Sequence, residues 1–267
     1  MTQNGRPRKP AGDTVAVAIP ARFASTRLPG KMLIEIAGKP LIRYVWERAL
    51  SSRLAGSAVV ATDDERIRAA VEGFGGHAEM TSADCASGTD RIAELVRTGR
   101  LEASIIVNVQ GDEPEIDPAH IDMAASLLLE DPRADISTLA APVATLAEYQ
   151  DPNAVKAVVG ADGFALYFSR ASVPFIRDGA NDDTDFSALG VYRHIGLYAY
   201  RKEALLSFAG AGEGRLERIE RLEQLRALEM GLRIKVGLVE SACIGIDTEK
   251  DLREFEKRIR NRKESSS

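Results

Sequence analysis

Short apolar runs recur through the first half of the chain, and stretches with helical spacing separate them. The runs are Val15–Ile19, Ala58–Ala61, Ile105–Val109 and Ile136–Leu139, with His77–Met80 as a shorter addition. Leu41–Leu50 repeats its apolar residues at helical intervals behind Pro40, a helix-start position. Asp63, Asp64 and Glu65 open a helix to about Phe74, which Gly75 and Gly76 end; Pro118–Leu129 reads as another. Residues 87–90 read as a loop entering a helix over Arg91–Val96. The run Ile105–Val109 is apolar enough to be buried on both faces, as central parallel strands are. This alternation predicts an α/β layer structure with a mainly parallel sheet flanked by helices. Ligands of such sheets bind beyond the carboxyl ends of the strands. The segments that follow Val15–Ile19 and Ile105–Val109 are therefore expected to face one crevice.

The second half is less regular. Val155–Val159 and Phe164–Phe168 flank a glycine-containing turn and read as a hairpin. Asn181–Asp185 is a polar loop. Tyr192–Tyr200 alternates, with Arg193, Ile195, Leu197 and Ala199 on one face and Tyr192, His194, Gly196, Tyr198 and Tyr200 on the other. Gly196, between His194 and Tyr198, leaves space for a ligand or a crossing backbone. Helices are expected over Glu203–Phe208, Leu216–Met230 and Thr248–Arg260, and a strand over Ile234–Leu238.

The loop after the first run carries Arg22, Arg27 and Lys31, with Ser25 and Thr26 between them. Pro20, Pro29 and Gly30 keep it from becoming a helix. Arginine offers planar bidentate donors and lysine a point charge, which together suit phosphate. An ordinary solvated loop also carries such residues. The dinucleotide-binding pattern is absent, because the loop opens with Pro20, Ala21 and Arg22 instead of glycines. The ATPase phosphate loop is absent too, since Met32 follows Gly30 and Lys31. Phosphates would be held mainly by side chains.

A net charge of −5 argues against general nucleic-acid binding, and local cations in an acidic chain point to a small anionic ligand. Cys85 and Cys243 lie far apart without metal spacing, which fits a reducing compartment. Residues 1–13 are polar and lack the apolar region of a signal peptide, and no apolar run is long enough to span a membrane. A cytoplasmic location without membrane insertion is expected.

Asp112 and Asp247 are the candidate metal ligands, since Mg2+ on a triphosphate uses one or two carboxylates with phosphate oxygens and waters. Asp112 also reads as a turn residue before Pro114, and Asp247 as a cap or first-turn residue beside the capping-box pattern of Thr248 and Asp251. His194 and Tyr198 share a strand face and suit hydroxyls or a carboxylate, to which Arg170 would add positive charge. Taken alone, His194 reads equally as a structural histidine and Arg170 as a surface cation. On a helix over Leu216–Met230, Glu220, Glu223 and Gln224 lie on one face, opposite Leu222 and Leu225. That row suits a polyol, or it is a solvated face supported by a Glu217–Arg221 pair.

Ordered motifs give the chain a wider resemblance. They are IPARFASTRLPGK at 19–31, VATD at 60–63, SGTDR at 87–91 and VNVQGDEP at 107–114. They continue with PNAVK at 152–156, ALYFSR at 165–170, RHIGLY at 193–198, LEQLR at 222–226 and GIDT at 245–248. From about Val15 to Phe255 the sequence resembles the 3-deoxy-manno-octulosonate cytidylyltransferases, the CMP-Kdo synthetase family. It departs from them at Phe175, where the family usually carries Trp, and at Glu249, where it usually carries Pro.

The resemblance implies a nucleotidyltransferase-type, Rossmann-like α/β fold with a smaller β-rich sugar-binding and dimerisation region. It divides the chain into an extension at 1–13, one domain at 14–260 and a disordered tail at 261–267. Within the domain, about 14–140 would bind CTP, about 141–245 would bind sugar and dimerise, and 246–260 would form the C-terminal helix. The implied reaction joins CTP and Kdo into CMP-Kdo and pyrophosphate with Mg2+, in a cytoplasmic homodimer that serves lipopolysaccharide synthesis. Arg22, Arg27 and Lys31 would hold the triphosphate with Ser25 in the same loop, and Ser87 and Gln110 would lie near the cytidine. Asp112 and Asp247 would bind Mg2+. Gln110, Arg170, His194, Tyr198, Glu220, Glu223 and Gln224 would meet the sugar acid. Lys31, Arg22, Arg27 and Asp112 form the expected catalytic set, with no side chain standing out as a general base. Another acidic sugar, such as 8-amino-Kdo or a sialic acid, would use the same residues, and a catalytically silent nucleotide-binding module is the third reading.

Overall fold

The run expected as the first strand is an interior strand of a nine-stranded sheet. The computed structural model describes residues 14–24, 28–240 and 245–265. The expectations for residues 1–13, Ser25, Thr26, Arg27, Cys243 and the last two serines lie outside the described residues. In chain order, β1 (Val15–Ala21) leads through a 3-10 turn (Lys31–Leu33) to the small pair β2 (Glu35–Ile36) and β3 (Lys39–Pro40). Then come α1 (Leu41–Leu50), β4 (Ala55–Thr62), α2 (Glu65–Gly73), β5 (Ala78–Met80), α3 (Gly88–Arg97), β6 (Ile105–Asn108) and α4 (Pro118–Glu130). The second half holds β7 (Ile136–Pro142), α5 (Leu146–Gln150), β8 (Lys156–Val159), β9 (Ala165–Ser169), β10 (Tyr192–Arg201) and α6 (Lys202–Gly210). It closes with α7 (Arg215–Glu220), α8 (Gln224–Glu229), β11 (Ile234–Leu238) and α9 (Glu249–Ser265).

The sheet order is β11-β7-β10-β6-β1-β4-β5, with the β8–β9 hairpin attached at β10. β1 runs parallel to β4 and β6, β4 to β5, and β11 to β7; β10 runs antiparallel between β6 and β7. Alternate residues of β6 enter two cores, Val107 among Ile42, Val45 and Ile121, and Ile106 among Ile92, Leu205 and Leu225. Helices therefore cover both faces, as the sequence of that strand requires. The faces expected for β10 hold as well, with Ile195, Leu197 and Ala199 in one core and Tyr192, Tyr198 and Tyr200 against the other.

β1 pairs with β6 only as far as Ala18, opposite Asn108, while its pairing with β4 continues through Pro20 and Ala21. Pro20, which has no N–H to donate, thus lies where the sheet divides. The turn after β6 passes so close that a Cβ on Gly111 would stand 2.9 Å from the Pro20 carbonyl oxygen. The crevice opens at this split.

Four expectations change. Residues 88–90 are the first turn of α3, because Ser87 is its N-cap and exchanges hydrogen bonds with Asp90 in a capping box. The helix expected over Leu216–Met230 is two helices, since Arg221 takes the left-handed conformation (φ 54°) and Leu222 N–H bonds back to the Glu217 carbonyl. Glu217 therefore pairs with Arg226 at 2.6 Å instead of Arg221. Finally, α9 continues to Ser265, past the expected boundary, with Arg258 and Arg262 both paired to Glu115 at 2.7 and 3.0 Å.

Two of the quoted motifs meet in the interior. Arg91 of SGTDR is fully buried, and its guanidinium lies 3.0 Å from Asp63 of VATD. This pair fixes the start of α3 against the end of β4, next to the crevice.

Candidate active site

At the mouth of β1 the chain reverses through Gly30, whose φ of 69° suits glycine, and Gly30 N–H bonds to the Phe23 carbonyl at 3.0 Å. The Phe23 ring packs against Gly30, and the Arg66 guanidinium lies over that ring, 3.3 Å from its centroid. The reversal places Lys31 in the 3-10 turn and buries its stem, leaving it only 6% exposed.

The Lys31 ammonium donates to Asp112 Oδ2 at 2.6 Å, to the Ile246 carbonyl at 2.9 Å and to Asp247 Oδ1 at 3.4 Å. Ile246 N–H donates in turn to the Asp112 carbonyl at 2.8 Å, which ties the two acid-bearing segments together. The capping box of α9 is closed by Thr248 and Asp251. Asp247 is therefore not the cap, and its carboxylate turns to Lys31. Two carboxylates converging on one cation, each open to solvent on its other side, form a donor set that fits a hard divalent ion. Among the described residues, no group of three or more His, Cys, Asp or Glu side chains gathers as a metal site. Oxygens of the ligand would have to complete the coordination of such an ion.

Arg22, Lys31, Gln110 and Asp112 line a cleft of about 230 Å³ over this cluster, with Gly88 and Gly111 at its wall. Arg22 is anchored by a 2.8 Å hydrogen bond from its Nη2 to the Cys85 carbonyl. Gln110 Nε2 lies 3.4 Å from Asn108 Oδ1. Close packing requires glycine at 111, where a Cβ would stand 2.9 Å from the Pro20 carbonyl oxygen, and Gly88 packs tightly against the Pro20 ring, with a Cβ there 3.0 Å from it.

A second group of expected residues meets on the α3 side of the sheet. Glu223 accepts from Thr89 Oγ1 at 3.1 Å, and burial raises its carboxyl pKa. Its Oε1, 4.0 Å from Arg226 Nη2, and the Nε2 of Gln224 are buried without a hydrogen-bond partner. Orphaned polar atoms of this kind are costly unless a ligand meets them. The rings of His194 and Tyr198 are 5.4 Å apart, and His194 also packs edge-on to Phe168. Burial pushes the His194 pKa down to about 3, so the imidazole is neutral, with Nε2 2.9 Å from Thr138 Oγ1. Burial, with Tyr200 and Glu223 nearby, holds the Tyr198 hydroxyl protonated. Tyr198 stands across from Asn108, so this group adjoins the Gln110 side of the phosphate cleft.

Ser87 joins the two regions as the cap of α3, its hydroxyl shared with Asp90. Arg170 and Glu220 form a cluster of their own. The Arg170 guanidinium donates to the carbonyls of Glu220, Arg221 and Pro152 at 2.7, 3.3 and 3.0 Å. The Glu220 carboxylate accepts from Ser169 Oγ at 2.7 Å and from Arg170 N–H at 2.9 Å. The break at Arg221 separates Glu220 from Glu223 and Gln224, so the expected single row does not form.

Glu113 did not stand out in the sequence. Its carboxyl is buried, and burial with the neighbouring Asp112 raises its pKa to about 7. The available signal was its place directly after Asp112.

A family model described as Cytidylyltransferase matches residues 16–234. The chain is 51% identical over 249 residues to a 3-deoxy-manno-octulosonate cytidylyltransferase of Syntrophotalea carbinolica, covering 92% of this chain and 99% of that protein. It is 52% identical over 242 residues to the protein of the same name from Geobacter sulfurreducens, covering 89% and 96%. Its fold is similar to the solved structure of CMP:2-keto-3-deoxy-manno-octonic acid synthetase complexed with CTP. The TM-score is 0.85 at 38% identity, over 93% of this chain and 99% of that one.

Proposed function

Because the chain belongs to the cytidylyltransferase family, and within it to the 3-deoxy-manno-octulosonate cytidylyltransferases, we infer that its crevice joins CTP to Kdo. The enzyme transfers CMP from CTP to the sugar acid and releases pyrophosphate. The product supplies lipopolysaccharide synthesis. The observation that carries this reading is the convergence of Asp112 and Asp247 on the buried Lys31 ammonium, beneath a cleft that also presents Arg22.

The triphosphate belongs over Lys31 and Arg22, with Ser25 and Arg27 assigned to the same loop. Ser87 and Gln110 are assigned to the cytidine side. Asp112 and Asp247 would hold Mg2+, which when bound supplies Lewis-acid neutralisation of the phosphate charge. His194, Tyr198, Glu223 and Gln224 are assigned to the sugar acid together with Gln110. The neutral imidazole and the phenol suit hydroxyls and a carboxylate, and Glu223 Oε1, which lacks a hydrogen-bond partner, accepts from a hydroxyl. Arg170 and Glu220 brace the wall of this region.

In the reaction the anomeric oxygen of Kdo bonds to the α-phosphorus as the bond to the β-phosphate oxygen breaks. Its hydroxyl proton is released. Negative charge grows on the departing pyrophosphate, where a preorganised ammonium stabilises the transition state more than the ground state. Lys31 is preorganised, being held by three oxygens before any ligand arrives.

A homodimer is the proposed assembly, supported by Phe175 (83% exposed), Leu166 and Leu189, large apolar residues presented to solvent by the region assigned to dimerisation. The cytoplasm is the proposed location; among the described residues, no helix is long and apolar enough to cross a membrane.

Phosphorus NMR of CTP, Kdo and Mg2+ with the enzyme tests the chemistry. The α-phosphorus signal is expected to move to a diester as pyrophosphate appears in equal amount. Formation of CMP or CDP without a sugar diester would reject transfer to Kdo.

A further inference from the structure

The turn that carries Asp112 has a second cavity on its other side. This space of about 400 Å³ is lined by Glu113, Asp151, Asn153, Arg193, His194 and Gly196, so it adjoins the His194 site already described. Glu113 is its buried feature: Oε2 is shielded from water and has no hydrogen-bond partner. A carboxyl oxygen left so is destabilising unless something in the cavity donates to it. Most of the remaining lining is already fixed. Arg193 is paired with Glu148 at 3.1 Å, and Asp151 Oδ1 takes both the backbone N–H and the side-chain N–H of Asn153. The Asn153 amide therefore turns its nitrogen to Asp151 and its oxygen away from it.

The strand beside the cavity makes room for an occupant. β10 bulges here, its register jumping from Ile195 opposite Leu139 to Tyr198 opposite Thr138. Gly196 sits in the bulge, and nothing lies within 4 Å of where its Cβ would be. The cavity thus offers carboxyl and amide acceptors, while its cation is already paired. That lining suits a neutral chain of hydroxyl groups and disfavours a further anion.

We propose that this cavity receives the polyhydroxy tail of the acceptor sugar, with Glu113 accepting a hydrogen bond from a tail hydroxyl and Gly196 providing the space. This rests on the reading of the acceptor as Kdo, whose two-carbon tail lies outside the ring. Asp112 and Glu113 then divide one turn between two jobs, the phosphates on one side and sugar length on the other. A site built to bond a hydroxyl discriminates strongly against a substrate that lacks it.

The test compares Kdo with a six-carbon 3-deoxy-2-ulosonate, which keeps the carboxylate, ring and anomeric hydroxyl but lacks the tail. Steady-state kinetics are measured for the wild type, Glu113→Leu, which removes the acceptor, and Gly196→Val. The wild type is expected to prefer Kdo in kcat/KM by about tenfold or more. In each variant that preference falls at least tenfold, through KM for Kdo. Gly196→Val makes the test independent of Asp112, which adjoins Glu113. An unchanged preference in both variants, with both sugars slowed equally or not at all, would overturn the assignment. A wild type that does not turn over Kdo would instead overturn the functional reading itself, so the two failures are distinct.

Discussion

Replacing Lys31 with methionine is expected to lower kcat for CMP transfer by about 10²–10³-fold, with a much smaller change in KM for CTP. Methionine retains much of the buried stem and removes only the ammonium, so the effect isolates charge from packing. The expected split follows from the geometry. An ammonium held in place by Asp112, Asp247 and the Ile246 carbonyl needs no reorganisation when charge grows on the leaving pyrophosphate. Its loss also leaves two carboxylates facing each other, so the variant should gain more thermal stability from added Mg2+ than the wild type does. Both quantities come from one preparation, through steady-state kinetics and melting curves with and without Mg2+. Unchanged kcat with a raised KM for CTP would make Lys31 a ground-state binder only.

Asp112→Asn and Asp247→Asn are each expected to reduce turnover at saturating Mg2+ by about 10²-fold or more, and to raise the Mg2+ concentration needed for half-maximal rate. Asparagine keeps the shape and the hydrogen bond to Lys31 while removing the charge a hard cation needs. Asp112 should show the larger loss. It makes the shorter contact with Lys31, 2.6 Å against 3.4 Å, and its side chain is less exposed, 31% against 46%. Stripping Mg2+ from the wild type with a chelator should abolish activity, and adding it back should restore activity. Near-normal turnover in both variants would reject the metal assignment.

The frame that carries these residues was legible in the sequence because short apolar runs report buried strands directly. β1 and β6 fell where their hydrophobicity placed them, and α1 begins and ends at the expected residues, Leu41 and Leu50. The Thr248 and Asp251 pattern likewise formed its capping box, which released Asp247 for Lys31. Less legible was anything set by long-range packing. The periodicity of 216–230 is intact, and Leu222 and Leu225 are both buried, yet the helix breaks at Arg221 without a glycine to announce it. That break sent Glu220 to Ser169 and Glu223 to Thr89, so the row of acceptors drawn from helical spacing was lost. Arg170 carried a charge suited to a carboxylate, but the freed carbonyls at the end of α7 claimed its donors. Glu113 reads in sequence as a polar turn residue before proline. Its burial comes from the chain around it, which local pattern does not report.

The central claim is that this crevice takes cytidine as its nucleotide and Kdo as its acceptor. Pyrophosphate release tests it most directly, measured with CTP and Kdo and then with UTP, ATP or a sialic acid substituted in turn. The account predicts rapid release with CTP and Kdo, and kcat/KM lower by about 10²-fold or more for each substitution. Release from CTP with sialic acid at a rate equal to that with Kdo, or no release with Kdo at all, would contradict it.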